Sequence, residues 1–184
     1  MKNTPPLYIV DIIGEVVKAA DTVLYPILNK HILYEYGRSI QILRQLQKLN
    51  DSITKKDDKY PLFALFQPFP EDSTTNYYAS VKFPKISIAM LTQNTDPVSK
   101  RYDKTFKPVL YPIYQEFLRQ LCLHPNIVAS DPGAISHKHW DLPGSDPASD
   151  QVKGANFNDI VDAIIIQDLQ LTFKQVKTCK SLKN

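Results

Sequence analysis

Glycine and cysteine are scarce in this chain, with five glycines and two cysteines in 184 residues against fourteen prolines. No glycine-rich phosphate loop and no G-x-S-x-G nucleophile turn is present, and connections rich in proline are expected to be stiff and extended. Cys122 and Cys179 form no metal-ligand spacing and imply no disulfide scaffold, so a reducing cytoplasm is the simple reading. Long apolar runs are missing too. No stretch reaches the ~18 apolar residues of a membrane span. In MKNTPPLYIVDIIGE, Asp11 and Glu15 interrupt the apolar run too early for a secretion signal.

What is present is ordinary globular composition, 43% hydrophobic and 22% charged, at a length that suits one domain. The formal net charge of +3 is unevenly placed. Lys174, Lys177, Lys180 and Lys183 lie in the last eleven residues, which hold no carboxylate side chain, and without those four the remainder sits near −1 (+3 − 4). That excludes a global basic signature for nucleic acid. Residues 174 to 184 read either as a solvated end or as a basic arm reaching a phosphate backbone or an acidic neighbour.

Hydrophobic spacing lays out the elements. Ile9, Ile12, Ile13, Val16, Val17, Ala20, Val23 and Leu24 recur at three- and four-residue steps, the stripe of an amphipathic helix that should end or kink near Tyr25, before Pro26. SIQILRQLQKLN predicts a shorter helix with Ser39 as N-cap and Ile40, Leu43, Leu46 and Leu49 along one face. After the charged break KKDDK, the run YPLFALFQPFP has the marks of a buried strand. Residues 77 to 92 predict a long extended segment with Ile86, Ile88 and Met90 on one face, and Pro84 marks a bulge or an edge within it.

TFKPVLYPIYQEFLRQL follows the helical stripe through Phe106, Val109, Leu110, Ile113, Tyr114, Phe117, Leu118 and Leu121, with Pro108 and Pro112 in its first turns. From Ile127 to Asn158 the chain is polar and rich in Asp, Pro and Gly, a long loop or arm that HPNIVAS opens with a short strand. A last strand spans NFNDIVDAIIIQDLQLTF. There Ile164 and Ile166 share one parity and Leu169, Leu171 and Phe173 the other, so an extra residue is expected near Gln167 and Asp168. These elements predict one α+β domain over 1–173, in which two long helices cover a small, mostly antiparallel sheet in two layers, with a loop at about 130–158 and a basic tail at 174–184.

The candidate chemistry is concentrated in SHKHWDLPGSD, where His137, His139, Asp141 and Asp146 stand close in sequence, with His124 upstream. Zinc needs three or four ligands aimed by a rigid element, and an H-x-H pair shares a face only on a strand. Pro132, Gly133, Pro143, Gly144 and Pro147 argue against a regular strand, so a solvated or partner-contacting loop is the expectation, with no cofactor and no metal. A metal-dependent hydrolase using His137, His139 and Asp141 is the alternative. Trp140, the lone tryptophan, reads either as an interface anchor or as a ring folded back over its own domain. The aromatic residues between 60 and 83 read as core and sheet-face residues before base-stacking ones.

Four segments together carry a resemblance: KYPLFALFQPFPED, KISIAMLTQNTDP, RYDKTFKPVLYPIYQEFLRQL and NFNDIVDAIIIQDLQLTF. Over most of residues 7 to 173 their order and pattern resemble small virion proteins of tailed bacteriophages, of the tail-terminator or tail-completion kind. The resemblance implies a compact, non-enzymatic α+β subunit that forms a homo-oligomeric ring of six or twelve copies between capsid portal and tail. It further implies neighbouring neck and tail proteins as partners, DNA passing through the lumen without specific binding, and assembly in the bacterial host cytoplasm into the virion. The family has no catalytic residues to transfer. Its pattern carries a Tyr- and Gly-rich stretch before the final strand, where this chain has SHKHWDLPGSDPASD. Interface residues are expected at Trp140, His137, His139, Lys174, Lys177 and Lys180. A ring needs two unlike surfaces on each subunit, and an exposed strand edge plus a long arm would supply them.

Overall fold

The structure is a computed structural model that describes residues 8–51, 56–72, 78–93, 95–128, 137–141 and 159–174, with side chains at 50, 56, 57 and 137–141 outside that description. Its backbone is a mixed sheet with helices on both faces. Helix α1 (Ile9–Leu28) and helix α2 (Ser39–Asn50) flank strand β1 (Leu33–Gly37). Strands β2 (Leu62–Phe66), β3 (Glu71–Asp72) and β4 (Tyr78–Leu91) follow. Next comes a continuous helical stretch made of α3 (Val98–Arg101), a π-helical segment (Tyr102–Leu110) and α4 (Tyr111–Leu123). Short β5 (Ile127–Val128), β6 (His137–Asp141) and the long β7 (Val161–Lys174) complete the sheet.

The strand order is β1-β2-β4-β7-β5, with β3 beside β4 and β6 beside β7. Every pairing is antiparallel except β1 with β2. A main core lies on the face covered by α1, the π-helical segment and α4, and it gathers Ile13, Phe63, Phe83, Ile88, Phe117, Ile164 and Phe173. A second, smaller core lies on the opposite face, where Ile42 and Leu46 of α2 pack on Leu62, Ala64, Ala89, Ala163 and Ile165. The α+β class is as expected, and the two long helices do share one face. Helix α2 adds a third layer over one end of the sheet, because β2 and the first half of β7 are apolar on both faces and need cover on both.

Local departures have local causes. Helix α1 runs through Pro26 to Leu28, because a missing amide in the last turn forfeits one bond, and the left-handed Asn29 closes the end with its N–H on the Tyr25 carbonyl at 2.8 Å. Arg38, not Ser39, holds the N-cap position of α2, and its N–H donates to the Gln41 side chain at 2.9 Å. The buried stripe of α2 passes through Ile42 and Leu46, with Ile40, Leu43 and Leu49 at its margins, since a strict three-residue step drifts around a 3.6-residue helix. The second long helix begins at Val98, so Pro108 sits inside it and Pro112 at the start of α4. A wider π turn, with the Tyr111 N–H reaching back to the Phe106 carbonyl, accommodates a proline ring that an α turn would clash with.

The expected extra residue at Gln167 and Asp168 has a counterpart on the neighbouring strand. Asp168 is left-handed (φ 55°), and directly across β4 stands Pro84, with Phe83 opposite Leu169 and Lys85 opposite Gln167 on either side. Both strands change parity at this point. Val81 and Phe83 give way to Ile86 and Ile88, just as Leu171 and Leu169 give way to Ile166 and Ile164, and all eight lie in the main core. The pairing offset is therefore the same on both sides, and the sheet kinks without slipping. Pro84 is an interior residue on the β7 side. On the other side it falls between the stretch paired with β3 and the stretch paired with β2, where no ladder bond is asked of it.

Candidate functional site: the two ends of the sheet

The histidine stretch is a strand. Residues His137 to Asp141 pair antiparallel with β7, His137 opposite Ile166, His139 opposite Ile164, Trp140 opposite Ala163 and Asp141 opposite Asp162. This overturns the expectation of an irregular loop there. The prolines and glycines that argued for one flank the five residues without entering them, and β7, buried on both faces along this half, leaves a row of backbone donors and acceptors that a neighbouring strand satisfies. Positions 137, 139 and 141 share the ladder parity of 162, 164 and 166. The side chains of His137, His139 and Trp140 lie outside the described residues, as do Asp146, Lys177 and Lys180. Among the described residues no group of three or more His, Cys, Asp or Glu side chains could hold a metal ion.

Strand β5 joins the same side of β7 as β6 and runs in the same direction, with Ile127 opposite Phe173 and Val128 opposite Thr172. Lys174 secures that end. It is the last residue of β7, its N–H donates to the Asn126 carbonyl at 2.8 Å and its Nζ to the Pro125 carbonyl at 3.1 Å. Its ammonium group is thus turned onto the domain that the tail was expected to leave. The two remaining histidines serve the scaffold. His124 bridges α4 to Glu15 of α1 at 3.2 Å, and His31 meets Asp21 at 2.8 Å while stacking on Tyr25.

Two ion pairs fix the entry to β7 beside β6. Lys59 is 4% exposed and donates to Asp159, which also accepts from the Tyr60 hydroxyl at 3.2 Å. Arg101 donates to the fully buried Asp162 at 3.1 Å. Buried charges persist only when paired, so the two aspartates hold the chain where it joins the sheet. The Tyr60 phenol is held well above the usual tyrosine range, first by burial and then by the Asp159 carboxylate. The N-D-x-x-D spacing before the final strand was the available signal. What it lacked was a partner, since Lys59 and Arg101 are far away in sequence.

At the other end of the sheet lies β1, a strand absent from the sequence reading. Among the described residues it is paired on one side only, with β2. Tyr34 is anchored, its hydroxyl donating to the Val10 carbonyl at 3.0 Å and its ring against Gly14, where a Cβ would come within 3.1 Å of the ring. Tyr36 is 53% exposed. Glu35 is half-buried, burial raises its carboxyl above the usual range, and it has no hydrogen bond or ion pair among the described residues. The signal for β1 was ILYEYG, aromatic and β-branched residues closed by Gly37, whose φ of 142° turns the chain into α2.

Among the described residues the sheet therefore ends in two unlike strands of five residues, β1 and β6, on opposite sides. Such edges present main-chain donors and acceptors to a further strand. Compared with models of protein families, with curated proteins and with solved structures, the chain matches none. No described helix is long and apolar enough to cross a membrane.

Proposed function

We propose that this protein is a structural ring subunit of a tailed-phage neck or tail, a tail terminator or head-tail connector that joins capsid portal and tail in the virion and catalyses no reaction. The single observation that supports this most is the pair of unlike strands, β1 and β6, that end the sheet among the described residues. A cyclic ring is built from heterologous contacts, in which each copy offers one surface to the left and a different one to the right. The four resembling segments contribute β2, β3, the second half of β4, the π-helical segment with α4, and β7 to the body. Six or twelve copies would enclose a lumen for DNA, and a body with little net charge outside its lysine-rich end would let DNA pass without holding it.

Native mass spectrometry and negative-stain imaging of the purified protein test the proposal. Closed rings, alone or on isolated tail tubes or connectors, are the expected result. A strict monomer that also fails to join such particles overturns it. One observation favours the hydrolase alternative: strand β6 gives residues 137, 139 and 141 a common parity. Elemental analysis separates the two readings, because stoichiometric zinc that disappears in His139→Ala belongs only to the enzyme.

A further inference from the structure

We propose that neighbouring copies join by strand addition, β6 of one copy pairing antiparallel with β1 of the next, so that the sheet continues from subunit to subunit. This rests on the ring reading above and names the contact through which the ring closes. Strand senses set the geometry. Strand β1 runs with β2, β2 against β4, β4 against β7 and β7 against β6, so β6 and β1 run in opposite senses within one molecule. A rotation about an axis along the strands preserves those senses, and a neighbour's β6 arrives at β1 as an antiparallel partner.

Length and side-chain type agree with that pairing. Each strand has five residues, LYEYG and HKHWD. Aligned centre to centre, Glu35 stands opposite His139, Tyr36 opposite Lys138 and Tyr34 opposite Trp140. The one charge on β1 is the half-buried carboxylate of Glu35, which lacks a cation among the described residues and in this alignment stands opposite the imidazole-bearing His139, while Lys138 falls opposite Tyr36 and Asp141 opposite Leu33. Strand edges that stay open in solution are usually blunted by proline, lysine or a bulge. Strand β1 has none of these and shows an exposed Tyr36 instead. A second copy is therefore the occupant to which this edge is matched, and cross-strand aromatic pairs such as Tyr34 with Trp140 are the ones that stabilise such a junction.

Cysteine pairs across the junction test the inference in the full chain, with Cys122 and Cys179 replaced by serine. Two double variants are made, Tyr36→Cys with Lys138→Cys and Glu35→Cys with His139→Cys. Adjacent cross-strand positions alternate between Cα separations of about 5.5 and 4.5 Å, and a disulfide accommodates both. Mild oxidation is expected to give a ladder of covalent oligomers that stops at the ring number, while each single variant gives none. Wild-type rings with no ladder in either double variant overturn the strand junction and leave the ring reading standing. Protein that never assembles, alone or on tail particles, overturns both. Covalent dimers from Tyr36→Cys alone also overturn it, since they report a two-fold β1–β1 contact.

A charge test uses no thiol. Glu35→Lys is expected to weaken association at least about tenfold by removing the acceptor that stands opposite His139, and adding His139→Glu to recover most of the loss by restoring an opposite-charge pair. Unchanged association of a Glu35→Lys protein that melts like wild type overturns the proposal.

Discussion

Asp162 is the most deeply buried charged residue among those described. It is fully buried in β7, accepts from Arg101 at 3.1 Å and stands in the ladder beside Asp141 of β6. Asp162→Ala leaves a guanidinium in the interior without its carboxylate, so a loss of about 3–5 kcal/mol is expected in chemical denaturation. Two phenols, the buried Tyr60 and the half-buried Tyr34, govern the alkaline limb. Burial raises both Tyr34 and Tyr60, Asp11 adding to the first and Asp159 to the second. An acid raised in the folded state keeps its proton there longer than in the unfolded chain. Its stabilisation is thus intact below the ordinary phenol value of 10.0 and is lost as pH rises above it toward the folded values. Stability measured from pH 8 to 12 is expected to fall above pH 10, and Tyr60→Phe to flatten that fall.

Among the elements, the paired strands β4 and β7 show how local chemistry and packing divide the work. The change of parity along β7 was readable from Ile164, Ile166, Leu169, Leu171 and Phe173, because a strand exposes alternate residues to one face. That Pro84 answers Asp168 across the ladder was not, since neither residue carries information about the other's register. Asp168 at φ 55° makes a direct test. Asp168→Gly is expected to be neutral or slightly stabilising, and Asp168→Val to cost about 1–2 kcal/mol, read by thermal unfolding. The exposed Lys82–Asp168 pair at 3.1 Å contributes little to either outcome. Helix α2 presents the same division. Its amphipathic stripe was legible, but the face of the sheet it covers depends on Leu62, Ala64, Ala163 and Ile165 coming together from distant parts of the chain. Leu46→Ala is expected to cost about 2–5 kcal/mol if α2 is a working layer, and much less if it is a loosely held appendage.

For the whole molecule, the two cores on opposite faces of the sheet make the body a fixed platform between its two ends. Phe63, 0% exposed and 4.7 Å from Phe117 between ring centroids, links the sheet to α4, and Phe63→Ala is expected to cost about 3–5 kcal/mol in denaturant unfolding. Of the candidate site, the sequence pointed to residues 136 to 146 but read them as an arm, and it passed over β1 altogether. The reason is physical. A five-residue strand has too short a period to stand out, and its stability comes from the neighbour it pairs with. Composition and spacing by themselves determined an α+β chain with two long amphipathic helices, two long strands and no membrane-spanning run, because those properties are carried by periodicity within single segments. Which strand lies beside which, where the sheet ends and which carboxylate meets which cation were decided only in three dimensions, where β7 gathers partners from positions 21 (Asp141 to Asp162) to 96 (Tyr78 to Lys174) residues away.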